Sequence, residues 1–455
     1  MVTDLTKGSP AKVIFLYSLP IILSNVFQQV YSMVDSVIVG RFVNYQALAG
    51  LGVVNGLTFF ILGFVMGITS GLGIRTAQMF GAGDIKGVRR SIGTSLIICT
   101  GLAIVLTALS SVLAGPALKL MNTPDDVYPY AISYVSIIFA GLATQVAYNM
   151  ISCILRALGD SSTPLYFLIF SSLLNLGLDY LFIAVFGLGV RGAGIATIIS
   201  QGLSAALCFG FAFWRYPQIR LSREDFRTSL SFIWEHLSIG LPMALQFSIT
   251  AFGIILLQSA LNSFPASYIA GFTAANKVQN VGFLVATAFG VAIANYSGQN
   301  YGAGDIRRVR RGVNVTLAMT LCVCAAASAM LALFADQMTE LFLSTEEADA
   351  AKAGILDASR RYLHISAVFF PFLYSLFVFR NALQGVGKTF WPLMGGVLEL
   401  IIRGVGAFTL PSWLGYRGII FTDPMAWVGA CTLLVIAYYL QMPKENPKKI
   451  ATFED

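Results

Sequence analysis

Long apolar runs, separated by short polar stretches, cover almost the whole chain. Residues 96–114, for example, continue without the alternation of polar and apolar positions that a membrane barrel strand requires. Each such run can cross a hydrocarbon layer ~30 Å thick at about 1.5 Å per helical residue. The lipid interior offers the backbone no hydrogen-bond partners. Apart from a closed β-barrel, only a helix satisfies the backbone N–H and C=O groups of such a segment internally. The pattern predicts an all-α polytopic membrane protein.

Twelve transmembrane helices are predicted. Their approximate limits are residues 13–36, 47–74, 91–114, 130–156, 164–186, 192–213, 236–262, 267–297, 313–335, 361–384, 390–411 and 416–440. The composition agrees with this prediction, because 56% of the residues are hydrophobic and 11% are charged, against roughly a quarter charged in a soluble domain.

Two sequence motifs each occur twice along the chain. Residues 79–90 read MFGAGDIKGVRR and residues 300–311 read NYGAGDIRRVRR. Similarly, LRALGDSSTPL at residues 155–165 corresponds to LQGVGKTFWPL at residues 383–393. Six predicted crossings separate the members of each pair, so both members face the same side of the membrane. The repeats predict two six-helix lobes in parallel orientation.

The polar stretch at residues 215–227 is the longest basic connection, and it marks the boundary between the lobes. We expect a first lobe over residues 1–220 with spans 1–6, and a second lobe over residues 221–455 with spans 7–12 and a short cytoplasmic tail. Even-numbered connections, the span ends next to them and the termini carry 20 Lys and Arg residues, whereas odd-numbered connections and their adjoining span ends carry 7. Basic residues favour the cytoplasmic side, which predicts that both termini are cytoplasmic.

The two copies of the GAGD motif are predicted to form a pair of cytoplasmic turns. Asp84 and Asp305 are expected to cap the helices that follow, and nearby arginines to contact anionic lipid headgroups. The glycines that supply permissive backbone for these turns are Gly81, Gly83, Gly302 and Gly304.

Two related helical repeats are typical of secondary transporters, in which a central binding site is exposed to one side of the membrane and then to the other. The sequence LQGVGKTF at residues 383–390 resembles only the tail of a phosphate-binding loop, so ATP-driven pumping is not expected. A polytopic enzyme would need a catalytic group such as a paired His and Asp at headgroup level, and none is visible. We therefore predict transport driven by an ion gradient.

Asp35 and Asp179 are acidic residues inside predicted spans of the first lobe. Asn175 lies one helical turn before Asp179 on the same face, and Thr197 lies at a comparable depth in span 6, so the four could converge. Two carboxylates in an apolar pocket cannot both stay ionised at low cost. The group would therefore take up a proton, or hold a monovalent cation. Alternatively, Asp35 is an interfacial or capping group close to Arg41.

The second lobe places different residues at the corresponding positions. Glu399 and Arg403 occur where Asn175 and Asp179 stand in the first lobe. An acid and a base four residues apart on a helix can neutralise each other, and Lys277 is a candidate third member. We interpret this charged group as a latch or structural pair, with a coupling or substrate site as the alternative. The asymmetry predicts ion coupling in the first lobe alone.

Several landmarks together resemble the multidrug and toxic compound extrusion (MATE) family. They are SLP at residues 18–20, QQVYSMVDSVIVGR at 28–41, the two GAGD turns, LRALGD at 155–160 and NLGLDYLFI at 175–183. The resemblance implies a V-shaped bundle that exports small, usually cationic organic compounds in exchange for H⁺ or Na⁺ across a bacterial plasma membrane. The family's ion site corresponds to Asp35, Asn175, Asp179 and Thr197.

The same resemblance assigns first-lobe substrate contacts to Gln28, Tyr31 and Asn149. We expect Gln246 and Asn276 to line the cavity from the second lobe, although each of these residues could instead be an interhelical contact. Otherwise we expect a monomer that contacts membrane lipids, with no nucleic acid partner, no cofactor beyond the coupling ion and no resident metal.

One branch of the family also uses acidic residues in spans 7 and 10. Here span 7 offers Gln246, and span 10 has no acid after Asp357 at its outer edge. The chain therefore resembles the DinF-like or MepA-like branch. The alternative function is a flippase or exporter of a lipid-linked or anionic amphiphile, which would need several basic residues facing the cavity, and here Lys277 and Arg403 are the candidates.

Overall fold

The computed structural model describes residues 4–342 and 349–442, and within these ranges the chain is helical without β-strands. Its thirteen α-helices are α1 (Pro10–Phe42), α2 (Tyr45–Gly81), α3 (Ile85–Leu120), α4 (Tyr128–Ala140), α5 (Leu142–Ala157), α6 (Ser162–Asp179), α7 (Val190–Arg215), α8 (Leu230–Leu261), α9 (Ala266–Gly302), α10 (Ile306–Glu340), α11 (Asp349–Gly385), α12 (Phe390–Leu414) and α13 (Tyr416–Gln441). A π-helical segment (Tyr180–Val185) continues α6, and short 3-10 turns (Pro217–Ile219 and Arg223–Phe226) follow α7.

In the described residues, eleven helical segments are long and apolar enough to cross a membrane individually. The short helices α4 and α5 are bent by 51° at the break between them; counted as one span they bring the number to twelve and correspond to the span predicted at residues 130–156. The bend falls at Gly141, where a Cβ atom would lie 2.2 Å from the side chain of Ile198. The prediction of an all-α polytopic membrane protein is confirmed.

Many large apolar side chains on the outside of this bundle stay exposed, including those of Phe15, Leu23 and Val37. Exposed apolar surface on this scale is unusual for a soluble monomer, but it is the surface that a bundle presents to lipid.

The repeated turns have nearly identical backbone geometry. Gly83 has φ +76° and Gly304 has φ +79°, which is the left-handed conformation that glycine adopts without strain. Asp84 Oδ1 accepts a hydrogen bond from the N–H of Gly87 at 2.7 Å. Its counterpart Asp305 accepts from the N–H two residues into α10 at 2.9 Å. The turns and both caps therefore have the predicted form.

Gly81 and Gly302 do not serve these turns, contrary to the prediction. Each lies at the last turn of its helix, where α2 and α9 touch. A Cβ on Gly81 would lie 1.9 Å from the carbonyl oxygen of Gln299, and a Cβ on Gly302 would lie 1.8 Å from that of Gln78. These glycines therefore allow two helix backbones from opposite halves of the chain to meet.

Candidate functional site

Asp35, Asn175, Asp179 and Thr197 come together, as the sequence indicated they could. Asp35 is on α1, Asn175 and Asp179 are one turn apart on α6, and Thr197 is on α7. In the carboxamide orientation that satisfies both of its ends, Asn175 donates to Asp179 Oδ2 at 2.7 Å and accepts from the N–H of Thr197 at 3.1 Å. The carboxyl groups of Asp35 and Asp179 lie within hydrogen-bonding range of each other.

This acidic site is shielded from water. Asp179 is 0% exposed, Asn175 is 1% exposed and Asp35 is 9% exposed. One carboxyl oxygen of Asp35 and one of Asp179, Oδ1 in each case, have no hydrogen-bond partner among the described residues. A buried carboxylate without a partner is costly. The arrangement therefore favours the binding of a proton shared by the two acids, or of a small cation held by their oxygens.

Two tyrosines complete the surroundings of the acidic site. Tyr31 lies one helical turn before Asp35 on α1, and Tyr134 approaches from α4; both phenol groups lie beside Thr197 and the aspartates. From its sequence position Tyr31 was predicted to be a substrate contact, and Tyr134 was not among the predicted site residues. The four-residue spacing from Asp35 could have placed Tyr31 here, but nothing in the sequence distinguishes Tyr134 from the other tyrosines of α4.

The π-helical segment begins directly after Asp179. Its wider turns, which occur frequently at functional sites, separate this acid from the C-terminal end of the span. The backbone N–H of Phe186 bonds to the carbonyl of Leu181, five residues earlier. The widened backbone is therefore internally satisfied.

The second half contains a buried network of four charged side chains. Arg403 on α12 donates through Nε to Asp423 Oδ1 at 2.7 Å and through Nη1 to Glu399 Oε2 at 3.2 Å. Arg380 on α11 pairs with the other carboxylate oxygen of Glu399. The side chains of Arg380, Arg403 and Glu399 are each 7% exposed or less, and that of Asp423 is 14% exposed. Charges buried this deeply are stable only when paired.

This network contains more residues than the predicted pair of Glu399 and Arg403. Lys277 is not part of it: its ammonium group lies 5.6 Å from the ring centre of Phe342, and it forms no ion pair within the described part of the chain. Arg380 was missed because it lies five residues before the end of α11, like an interfacial basic residue. Asp423 lies seven residues into α13, and an acid at that depth of an apolar span is a sequence signal that could have identified it.

A cavity of about 570 Å³ lies between the two halves of the chain. Gln246 and Asn276 line it, as predicted, and Gln384 donates to Gln246 Oε1 at 2.8 Å. The other predicted contacts are not among its lining residues. The Gln28 side chain is exposed elsewhere on α1, and Asn149 donates to the carbonyl of Gln145 within α5.

Comparisons with known proteins agree on one family. The MatE family model matches residues 20–181 and 242–409 of this chain. The chain is similar to a Bacillus subtilis protein named "Probable multidrug resistance protein YpnP", with 31% identity over 91% of this chain and 92% of the relative. It is also similar to a Shewanella oneidensis protein named "FAD transporter", with 22% identity over 97% of this chain and 96% of the relative.

A solved structure has the same fold. It is described as the outward-facing conformation of a multidrug resistance MATE family transporter of the MOP superfamily. It superposes with a TM-score of 0.88, covers 96% of this chain and 97% of its own, and is 22% identical.

Proposed function

This chain belongs to the MatE family of multi-pass membrane transporters and is not an enzyme, and on that premise we propose that it is a secondary antiporter that exports small organic compounds in exchange for protons. The observation that supports the proposal most strongly is the contact between the buried carboxyl groups of Asp35 and Asp179, each with one unpartnered oxygen. Acids buried inside a membrane protein at such cost mark coupling sites.

Sodium is the alternative coupling ion. The carboxylate, carboxamide and hydroxyl oxygens of Asp35, Asp179, Asn175 and Thr197 are of the type that binds a hard cation. Protons come first because two adjacent acids can hold one proton without any cage of further oxygens. Coupling confined to the first half, and the absence of an acid in the middle of α8, fit the DinF-like or MepA-like branch of the family.

The transport cycle follows from the two-half organisation. We propose that residues 1–220 and 221–455 form two lobes that rock about the cavity between them, as in other transporters built from repeats. Both termini would be cytoplasmic in a bacterial plasma membrane, and the chain would act as a monomer. Labelling of a cysteine placed at Ser222, between the lobes, by an impermeant reagent outside intact cells would contradict this orientation.

Organic cations are the substrates that the family resemblance favours, and the names of several relatives refer to multidrug resistance. The second candidate function is export of anionic amphiphiles. It is supported by the relative named FAD transporter, since FAD carries phosphate groups, and by the arginines at the cavity wall.

The test is dye transport by the full-length protein in sealed inverted vesicles. Acidification of the vesicle interior without sodium should drive uptake of a cationic dye, and Asp179→Asn should abolish it while leaving the amount of inserted protein unchanged. Asp126→Asn, at an exposed acid in the connection between α3 and α4, is the matched control. Full uptake by Asp179→Asn, or uptake that requires sodium, would refute the proton mechanism.

A further inference from the structure

We propose that the arginine-lined part of the central cavity is a subsite for an anionic group, so that the protein also binds small aromatic compounds that carry a carboxylate, phosphate or sulfonate. The inference rests on the proposed function for the idea that the cavity holds cargo, but it concerns equilibrium binding and needs no ion gradient. It deepens the second candidate function, because it names the residues that bind the anion and a class of compound opposite in charge to the one the family resemblance favours.

The charge of the cavity wall is the first argument. Arg156, Arg380 and Arg403 line the cavity, and Asp423 is the one acidic residue among its described lining residues. Glu399 lies behind the wall, between Arg380 and Arg403. The two arginines and two acids of the second half balance each other, so the one positive charge in excess is that of Arg156 on α5 of the first half. A low-dielectric cavity strengthens its attraction for an anion.

Unused hydrogen-bond donors are the second argument. Arg380 is 5% exposed, and its Nε–H has no hydrogen-bond partner among the described residues although its Nη2 is bound to Glu399. The Nε of Arg156 is likewise buried without a partner, and Arg156 forms no ion pair within residues 4–342 and 349–442. A guanidinium presents five donors in a planar fork suited to carboxylate and phosphate oxygens. A bound anion would satisfy donors that the fold leaves free.

A cationic compound finds no equivalent partner at this wall. Asp423 is already bound by Arg403, and the acids of the first half, Asp35 and Asp179, are not among the residues that line the cavity. The remaining polar lining consists mainly of carboxamides, including those of Gln279 and Asn381. Carboxamides accept ligands of either charge, so the arginines decide which charge is favoured.

The apolar part of the cavity wall suits the aromatic part of the ligand. Aromatic rings from five helices line the cavity, namely Phe59 on α2, Phe247 on α8, Phe272 and Phe283 on α9, Phe377 on α11 and Trp427 on α13. Rings of this kind bury flat apolar surface and stack on other rings. The ligand class is therefore an aromatic compound with one acidic group, rather than a simple inorganic anion.

The test uses two dyes with the same ring system and opposite charge: fluorescein, an anion, and rhodamine 6G, an esterified cation. Binding to the purified full-length protein in detergent is followed by fluorescence anisotropy. Arg380→Gln and Arg156→Gln should each weaken fluorescein binding by about tenfold, the loss expected for one charge-assisted hydrogen bond. Neither change should weaken the binding of rhodamine 6G.

Arg360→Gln is the matched control, because Arg360 is also on α11 but is half exposed and pairs with Asp336 outside the cavity. Folding should survive the test variants: Glu399 keeps Arg403 as its partner when Arg380 is replaced, and Arg156 has no ion pair to lose. Equal fluorescein affinity in the wild type and both test variants would overturn the proposal, as would wild-type binding of rhodamine 6G alone.

Competitors separate two sources of the anion. Displacement of fluorescein by 1-naphthoate supports a small aromatic ligand, whereas displacement by a short-chain phosphatidylglycerol but not by 1-naphthoate assigns the subsite to a lipid headgroup and overturns the stated class. Asp179→Asn should still bind fluorescein, and Arg380→Gln should weaken that binding in the Asp179→Asn background as it does in the wild type. Failure of proton coupling and failure of the anion subsite therefore give different results.

Discussion

At the scale of single residues, Asn175 connects the buried acid Asp179 to α7. Its carboxamide donates to Asp179 Oδ2 and accepts from the backbone N–H of Thr197. The amide therefore fixes the position of the carboxyl group that is proposed to receive the proton, and it does so without adding charge.

Replacing Asn175 by Ala should reduce proton-driven dye uptake by about tenfold, because Asp179 would lose a buried hydrogen bond worth roughly 1–3 kcal/mol. Ser172→Ala is the matched control on the same helix, because it removes a hydroxyl that donates to the carbonyl of Leu168 and lies outside the acidic site. Uptake by Asn175→Ala equal to that of Ser172→Ala would show that the amide does not position the acid.

The charged network of the second half makes a prediction about stability. Glu399→Gln would leave Arg380 without its acid partner inside the protein, and breaking a buried pair in this way costs roughly 3 kcal/mol. The melting temperature of the purified protein should fall clearly. Asp336→Asn removes the half-exposed partner of Arg360 and should cost less than about 1 kcal/mol. A melting temperature unchanged by Glu399→Gln would contradict the structural role of the network.

Residue types and spacing were enough to find the acidic site but not the second-half network. Asp35 and Asp179 stood out because acids within apolar spans are rare, and the helical period placed Asn175 beside Asp179. Arg380 and Lys277 show the limit of such reasoning. Which basic side chain meets Glu399 depends on how α11 and α9 are rotated against α12, and a single sequence does not contain that information.

At the scale of helices, the glycines before the repeated turns control how closely the halves approach. Gly81 and Gly302 let α2 and α9 touch, and hydrogen bonds reinforce the contact in matching positions. Gln78 Nε2 donates to the carbonyl of Gly385 at 3.0 Å, and Gln299 Nε2 donates to the carbonyl of Ala157 at 2.8 Å. The repeat that predicted a pair of turns thus also produces a two-sided contact between the halves.

Gly302→Val should force α2 and α9 apart at this contact, because a Cβ would overlap the carbonyl of Gln78. The distance between spin labels on cysteines at Ala82 and Ala303, in a background without native cysteines, should increase. Gly52→Val, at an open position of α2 where a Cβ meets nothing within 4 Å, is the control. An unchanged label distance in Gly302→Val would mean that other contacts hold the halves together.

The sequence could predict these helices because apolar length and turn chemistry are local properties. Span 4 shows the limit of local information. Its bend falls at Gly141, which packs so closely against Ile198 on α7 that a Cβ would overlap it, and Ile198 lies far away in the sequence. The same holds for Gly81 and Gly302, whose role depends on the opposite half of the chain.

At the scale of the whole molecule, the two halves repeat one architecture but differ in chemistry. The first half buries acids with unpartnered oxygens, whereas the described charges of the second-half network are paired. A transporter with this division would take up its coupling ion on one side of the cavity and hold cargo against the other. Binding at one site could then bias the same rocking motion as binding at the other.

The most direct test of the central claim is proton flux in liposomes that contain the purified protein and a pH-sensitive dye in the lumen. Addition of a transported organic cation in sodium-free buffer should produce proton movement in the opposite direction, and Asp179→Asn should reduce it to the rate of protein-free liposomes. Equal proton flux in the wild type and in Asp179→Asn, or none without sodium, would contradict coupling through the Asp35 and Asp179 pair.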